Sequence, residues 1–362
     1  MLELILVYLT SFGVALYATP ALIRVAILKR LTDVPKEDRK IHKRSIPTVG
    51  GIIIYAATMF SFTLWYKVGD GKLYDEIYQS IEEFKLIIAT SLVLFFVGVK
   101  DDIIGTAAVK KLFAHILVAL ILVLIGNIRI TSLYGIFGVW EIPYWGSVFI
   151  SLFTYVVVVN AFNLIDGVDG LAAGVGMIAC LAFGTWFVFA GNYSLAALSF
   201  SLAGALMGFL VFNFSPAKIF MGDSGSLIIG LFVCILAIKL IEYPIEKLDH
   251  FWVHISKPMF VIAAVIYPLL DTLRVFIIRT LKGQSPLIAD KNHIHHHLLH
   301  KGYGHIKTVI IIYLFTLVTV GVSLLGYFIP DANIGLAMLI AIALVFLLFV
   351  LVINRKHAKV SD

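Results

Sequence analysis

Apolar runs long enough to cross a bilayer recur along almost the whole of this chain, and no other feature limits its fold as tightly. A helix needs about 20 apolar residues to cross the hydrocarbon core. Runs of this kind lie near residues 2–28, 48–67, 85–99, 112–128, 146–160, 172–190, 195–212, 225–242, 256–278, 308–329 and 333–353. Hydrophobic residues make up 60% of the 362 and charged residues 14%, whereas a soluble domain carries about half and a quarter. Lipid must therefore solvate much of the surface. The expected fold is an all-α, polytopic membrane helix bundle of about 11 transmembrane helices, one domain over 1–362, because a helix satisfies its own backbone in lipid. The segment 129–144, with Gly135, Gly138 and Pro143, alternates like a short hairpin and is not a span. The first run is too long for a signal-peptide core and carries Glu3 in place of a basic start, so a retained first span is expected. Cys180 and Cys234 sit inside apolar runs and mark neither a disulfide nor a metal site.

Charge orients the bundle. The connections 29–47, 100–111, 161–171, 213–224 and 279–307 and the tail 354–362 together hold 19 Lys and Arg, against 3 in the opposite set. Cytoplasmic loops carry the basic excess, which predicts an outside N-terminus, a cytoplasmic C-terminus and a multi-pass protein of the inner (cytoplasmic) membrane.

The same division sorts the chemistry, since almost every unusual polar cluster falls on the basic side. Gly98-Val-Lys-Asp-Asp-Ile-Ile-Gly105 sets Asp101 and Asp102 directly after a span. A solvated helix end is the bland account of such a pair; proton abstraction is the functional one, because like charges raise each other's pKa. In Asn160-Ala-Phe-Asn-Leu-Ile-Asp-Gly-Val-Asp-Gly the residues Asn163, Asp166 and Asp169 recur every third position, on one side of a helical turn, among glycines that admit a close approach. Asp223 and Ser224 would open a helix, where an N-cap and an anion-binding role both suit them. His293, His295, His296 and His297 crowd one loop after Arg274, Arg279 and Lys282; if helical, His293, His296, His297 and His300 share a face. Zinc suits clustered imidazoles, while the neighbouring cations suit an anion.

Should Asp101, Asp102, Asp166, Asp169 and Asp223 converge, each pair about 5 Å apart would repel by about 3 kcal/mol. Such a pocket calls for a cation, and hard oxygen ligands select Mg²⁺, with Mn²⁺ as substitute, over zinc. A divalent ion ringed by Lys, Arg and His describes a diphosphate site. Two other classes use the same residues: a cation or sugar-nucleotide transporter, whose acids belong near the midplane, and a zinc-dependent intramembrane hydrolase.

The chain resembles the polyprenyl-phosphate N-acetylhexosamine-1-phosphate transferases. That family includes the enzymes that initiate O-antigen and teichoic-acid synthesis and the phospho-MurNAc-pentapeptide translocase. The likeness runs through Pro47-Thr-Val-Gly-Gly51, Asp101-Asp102, Asn160 to Gly174, Phe220-Met-Gly-Asp-Ser-Gly225, Pro268-Leu-Leu-Asp-Thr-Leu-Arg274 and the histidine loop. His-Ile-His-His-His is similar to the N-acetylglucosaminyl branch; the translocase branch has Pro in place of the first His. The resemblance implies transfer of GlcNAc-1-phosphate from UDP-GlcNAc to undecaprenyl phosphate with release of UMP, a pentapeptide donor being the runner-up. By that likeness Asp223 and Asn163 would bind the metal. Asp101 would be the base, or Asp101 or Asp102 a nucleophile, and Asp166 and Asp169 would face the nucleotide. Lys43, Lys111, Arg274, His293, His295, His296 and His297 would hold phosphates and sugar. A homodimer is expected from the resemblance only, and no nucleic-acid partner.

Overall fold

The computed structural model describes residues 1–33, 46–66, 74–283, 293–329 and 331–358. It is helical almost throughout. Helices α1 (Leu2–Leu28), α2 (Gly50–Trp65), α3 (Tyr74–Ile104), α4 (Ala108–Leu120, continued by a π-turn to Ile125), α5 (Tyr144–Leu164), α6 (Leu171–Phe189), α7 (Tyr193–Asn213) and α8 (Asp223–Ile241) come first. A single turn, α9 (His250–Val253), leads to α10 (Lys257–Ala264), α11 (Ile266–Leu281), α12 (Ile294–His300), α13 (His305–Ser323) and α14 (Ala332–Ala358). Two residue pairs, β1 (Thr32–Asp33) and β2 (Ile46–Pro47), form a minimal antiparallel ladder.

Among the described residues eight helices are long and apolar enough to cross a membrane, or nine when α10 and α11 count as one bent span. The protein is a polytopic membrane bundle. Each apolar run of the sequence centres on helix, that at 256–278 on two. However, α2 has only 16 residues and α3 extends to 31 with charged ends. The run 256–278 is broken, α10 and α11 meeting at 73°. Pro268 lies in the first turn of α11 and has no N–H for the Ala264 carbonyl, which ends α10 there. The segment 129–144 is the expected hairpin: Leu133 N donates to Trp140 O at 3.0 Å and Ile142 N to Thr131 O at 2.9 Å.

Helix α8 is the axis of the bundle, with 94% of its span buried. It is apolar all round, as a helix enclosed on every side must be. Helices α2, α3, α5 and α6 pack on it. Small residues permit the closest approaches. A methyl group on Gly51 would lie 2.1 Å from Gly225 N, and one on Gly98 2.5 Å from Ser224 Cα. These contacts bring the ends of α2 and α3 against the first turn of α8, where the polar clusters meet.

Candidate active site

The segment before α8 is fixed by backbone pairing. Phe220 N donates to Pro47 O at 2.7 Å, and Gly50 N and Gly51 N donate to Phe220 O and Met221 O at 3.0 and 2.8 Å. The Pro-Thr-Val-Gly-Gly stretch thus serves as a splint for the Met-Gly-Asp-Ser turn. Gly222 takes φ +71°, and a side chain there would strike Thr48 O at 2.2 Å and Asp102 Oδ1 at 2.6 Å. Only glycine fits that position.

Asp223 is the first residue of α8, and its cap comes from another helix. Asp102, near the end of α3, accepts from Asp223 N at 2.7 Å and from Ser224 N at 3.1 Å. A carboxylate satisfies two of the free N–H groups and opposes the helix dipole. The Asp223 side chain is left to face the site. Lys111 of α4 donates to Asp223 Oδ2 at 2.6 Å and to Asp101 Oδ2 at 3.1 Å. Asn163, at the end of α5, donates to Asp223 Oδ1 at 3.0 Å and to the Ser226 hydroxyl at 2.9 Å. Helices α4 and α5 therefore converge on the carboxylate of Asp223, and α3 on the backbone that carries it.

Burial dominates the electrostatics. It raises the Asp101 carboxyl, with Asp223 adding to the rise and Lys111 opposing it. It lifts Asp102 to about 6 in spite of the hydrogen bonds from Ser224 and Asp223. Asp166, in the turn after α5, is pushed well above the usual carboxylate range by burial and then by Asp223 and Asp102.

Asn163, Asp166 and Asp169 do not share one face. Asn163 turns to Asp223, while Asp169 is buried on the far side of the turn. There Asp169 accepts from Ala217 N at 3.2 Å and stands 3.7 Å from His305 Nδ1. The turn between α5 and α6 winds so tightly that period-three spacing is lost. Asn213 and Tyr313 hold it by bonding the N–H and carbonyl of Gly170.

A second cluster adjoins the first. Asp271 of α11 is fully buried and accepts from His293 Nδ1 at 2.9 Å and from Ile294 N at 2.7 Å. His295 stacks on His293 with ring centres 5.3 Å apart, and Arg274 lies 3.0 Å from His297 Nε2. Helix α12 starts after His293, so the most buried imidazoles are His293 and His295, with His296 and His297 half-buried. His293 stands at the N-cap of α12, just ahead of its first turn. Burial takes His295 down to about 3. It also touches the first cluster, since a methyl group on Gly167 would meet His295 Nε2 at 3.2 Å. Lys43 lies outside the described residues.

Several participants have no role assigned from sequence: Asp271, Ala217 and His305. For Asp271 a signal existed, because an acid inside an apolar helix is a functional candidate by default. Backbone N–H groups such as that of Ala217 leave no mark in a sequence.

Among the described residues no three His, Cys, Asp or Glu side chains group as a closed metal cage. Asp223, with the Asn163 amide beside it, nevertheless fits magnesium, which takes one or two carboxylates and completes its shell with phosphate and water.

With this geometry in view, the comparisons with known proteins point one way. The family described as Glycosyl transferase family 4 matches residues 84–241, from α3 through α8. A decaprenyl-phosphate N-acetylglucosaminephosphotransferase of Mycolicibacterium smegmatis is 33% identical over 362 residues, covering 94% of this chain and 87% of the relative. An undecaprenyl-phosphate alpha-N-acetylglucosaminyl 1-phosphate transferase of Yersinia pestis is 29% identical over 365 residues, covering 98% and 91%. Its counterpart in Escherichia coli is 29% identical over 331 residues, covering 88% and 82%. A likeness that spans nearly the whole chain and both clusters places it: this protein belongs to glycosyl transferase family 4, the membrane enzymes that transfer a sugar 1-phosphate to polyprenyl phosphate.

Proposed function

We propose that the protein transfers GlcNAc-1-phosphate from UDP-GlcNAc to undecaprenyl phosphate on the cytoplasmic side of the inner membrane, within eleven spans and with its N-terminus outside. The observation that carries this reading is the convergence of Asp101 and Asp223 on Lys111 at the first turn of α8. Phosphoryl transfer requires charge neutralisation and alignment more than covalent help. An amine between two carboxylates beside a helix N-terminus offers both. The names of the relatives, all N-acetylglucosamine phosphate transferases, favour that donor.

An oxygen of the lipid phosphate attacks the β-phosphorus of the donor. The bond from that phosphorus to the bridging oxygen breaks, UMP leaves, and polyprenyl-diphosphate-GlcNAc remains. Asp101, whose proton affinity is raised by burial and by Asp223, takes the proton of the lipid phosphate. Asp102 is committed through both oxygens to the α8 backbone, which suits it to positioning and favours direct attack over a phospho-enzyme on Asp102. Magnesium, held by Asp223 with Asn163, would neutralise the diphosphate of the donor. Asp166 faces the nucleotide, while Asp169, turned to Ala217 N and His305, positions that turn; Lys43, Arg274 and the histidines hold phosphates and sugar.

Purified protein in detergent, given UDP-GlcNAc, undecaprenyl phosphate and Mg²⁺, should release UMP only when the lipid is present. Turnover of UDP-MurNAc-pentapeptide in place of UDP-GlcNAc would keep the mechanism and replace the donor. No turnover with either would overturn the proposal.

A further inference from the structure

One turn inside the membrane from Lys111, α4 carries a second polar side chain, His115, with 4% of its surface exposed. Lys111 and His115 are four residues apart on α4, and Asn160 and Asn163 three apart on α5, so each pair shares a helix face. Lys111 and Asn163 both bond Asp223. His115 Nδ1 and Asn160 Nδ2 lie 3.3 Å apart. The contact repeats about 6 Å deeper along α4.

The proton on His115 can be placed by elimination. Asn160 Nδ2 also bonds the Val156 carbonyl at 2.7 Å, and a carbonyl only accepts, so that atom is the amide nitrogen. An amide nitrogen only donates, so His115 Nδ1 accepts, and the ring proton of the neutral imidazole is on Nε2. Among the described residues His115 Nε2 is buried and has no hydrogen-bond partner. Leaving a buried donor unpaired is unfavourable.

We propose that His115 Nε2–H binds a phosphate oxygen of the lipid acceptor. The water-soluble nucleotide reaches the site from the helix ends, where Asp166, Asp169 and Asp223 sit. A phosphate tied to a membrane-embedded chain reaches it from the apolar side, and His115 is the polar group on that side of Lys111. The inference rests on the reading of polyprenyl phosphate as acceptor.

Steady-state UMP release separates the two substrates. In His115→Leu the KM for undecaprenyl phosphate should rise about tenfold or more, as expected for losing a hydrogen bond to a charged group. The KM for UDP-GlcNAc should stay within about twofold, since only acceptor binding is lost. His115→Gln, which restores a donor, should return the acceptor KM close to wild type. If His115→Leu does not fold, His115→Met carries the same comparison with His115→Gln. An unchanged acceptor KM, or an equal rise for both substrates, would overturn the assignment. Failure of the wild type to use undecaprenyl phosphate would instead overturn the acceptor reading beneath it.

Discussion

Asp102 and Asp223 are joined backbone to side chain: the Asp102 carboxylate, on α3, accepts the Asp223 N–H at 2.7 Å and thereby sets where α8 begins. The adjacent acids Asp101 and Asp102 thus have different tasks, one facing the site and one facing the helix that builds it. Asp102→Asn leaves one acceptor oxygen for two N–H groups and lets the first turn of α8 shift. A misplacement on the order of 1 Å at a reacting centre costs about 10²-fold in rate. UMP release by Asp102→Asn should fall by about that factor, with both KM values near wild type.

Lys111 allows two carboxylates to stand together. Without it Asp101 and Asp223 repel by about 3 kcal/mol at roughly 5 Å. Lys111→Met should therefore lower the melting temperature in detergent as well as abolish turnover. Adding Asp101→Asn should recover melting temperature but not activity. Melting curves of the single and double variants test this; additive losses in the pair would contradict it.

Close backbone approach at Gly51 gives a steric prediction. A Cβ there would lie 2.1 Å from Gly225 N and 2.4 Å from Ser224 Oγ. Gly51→Ala should destabilise the protein by about 1–3 kcal/mol and reduce UMP release. In α1, nothing among the described residues lies within 4 Å of a Cβ on Gly13, so Gly13→Ala should melt at or slightly above wild type.

His295 gives a pH dependence. Burial lowers its pKa from the ordinary 6.5 to about 3, so between those values the unfolded chain binds a proton that the folded chain refuses. Its contribution to stability is complete above pH 6.5 and is lost as pH falls towards 3. Between pH 7.5 and 5 the loss is up to about 2 kcal/mol. The fall in melting temperature across that interval should be smaller in His295→Gln than in wild type.

How far the sequence was legible varies with the kind of interaction. The apolar runs located helices because length and hydropathy are local, and Gly135, Gly138 and Pro143 marked the hairpin at 129–144 for the same reason. Asp101, Asn163 and Asp223 stood out as polar residues in apolar surroundings, and the structure brings them together. The cap that Asp102 places on α8 was illegible, since it joins residues 121 positions apart. Asp169 was grouped with Asp166 by spacing, yet a tight turn sends it to Ala217 N. The bend between α10 and α11 was marked by Pro268 but hidden inside a continuous apolar run. His295 resembled its neighbours in composition, and only packing against Gly167 and Asp271 distinguishes it.

The most direct measurement compares lipid-dependent UMP release by wild type and Asp223→Ala, both shown to be folded by their melting curves. Lys111, Asn163 and the α8 terminus all converge on Asp223. The variant should therefore release UMP at no more than about a thousandth of the wild-type rate, a loss of roughly 4 kcal/mol of transition-state stabilisation. Release by Asp223→Ala at a rate comparable to wild type would contradict the placement of the active site.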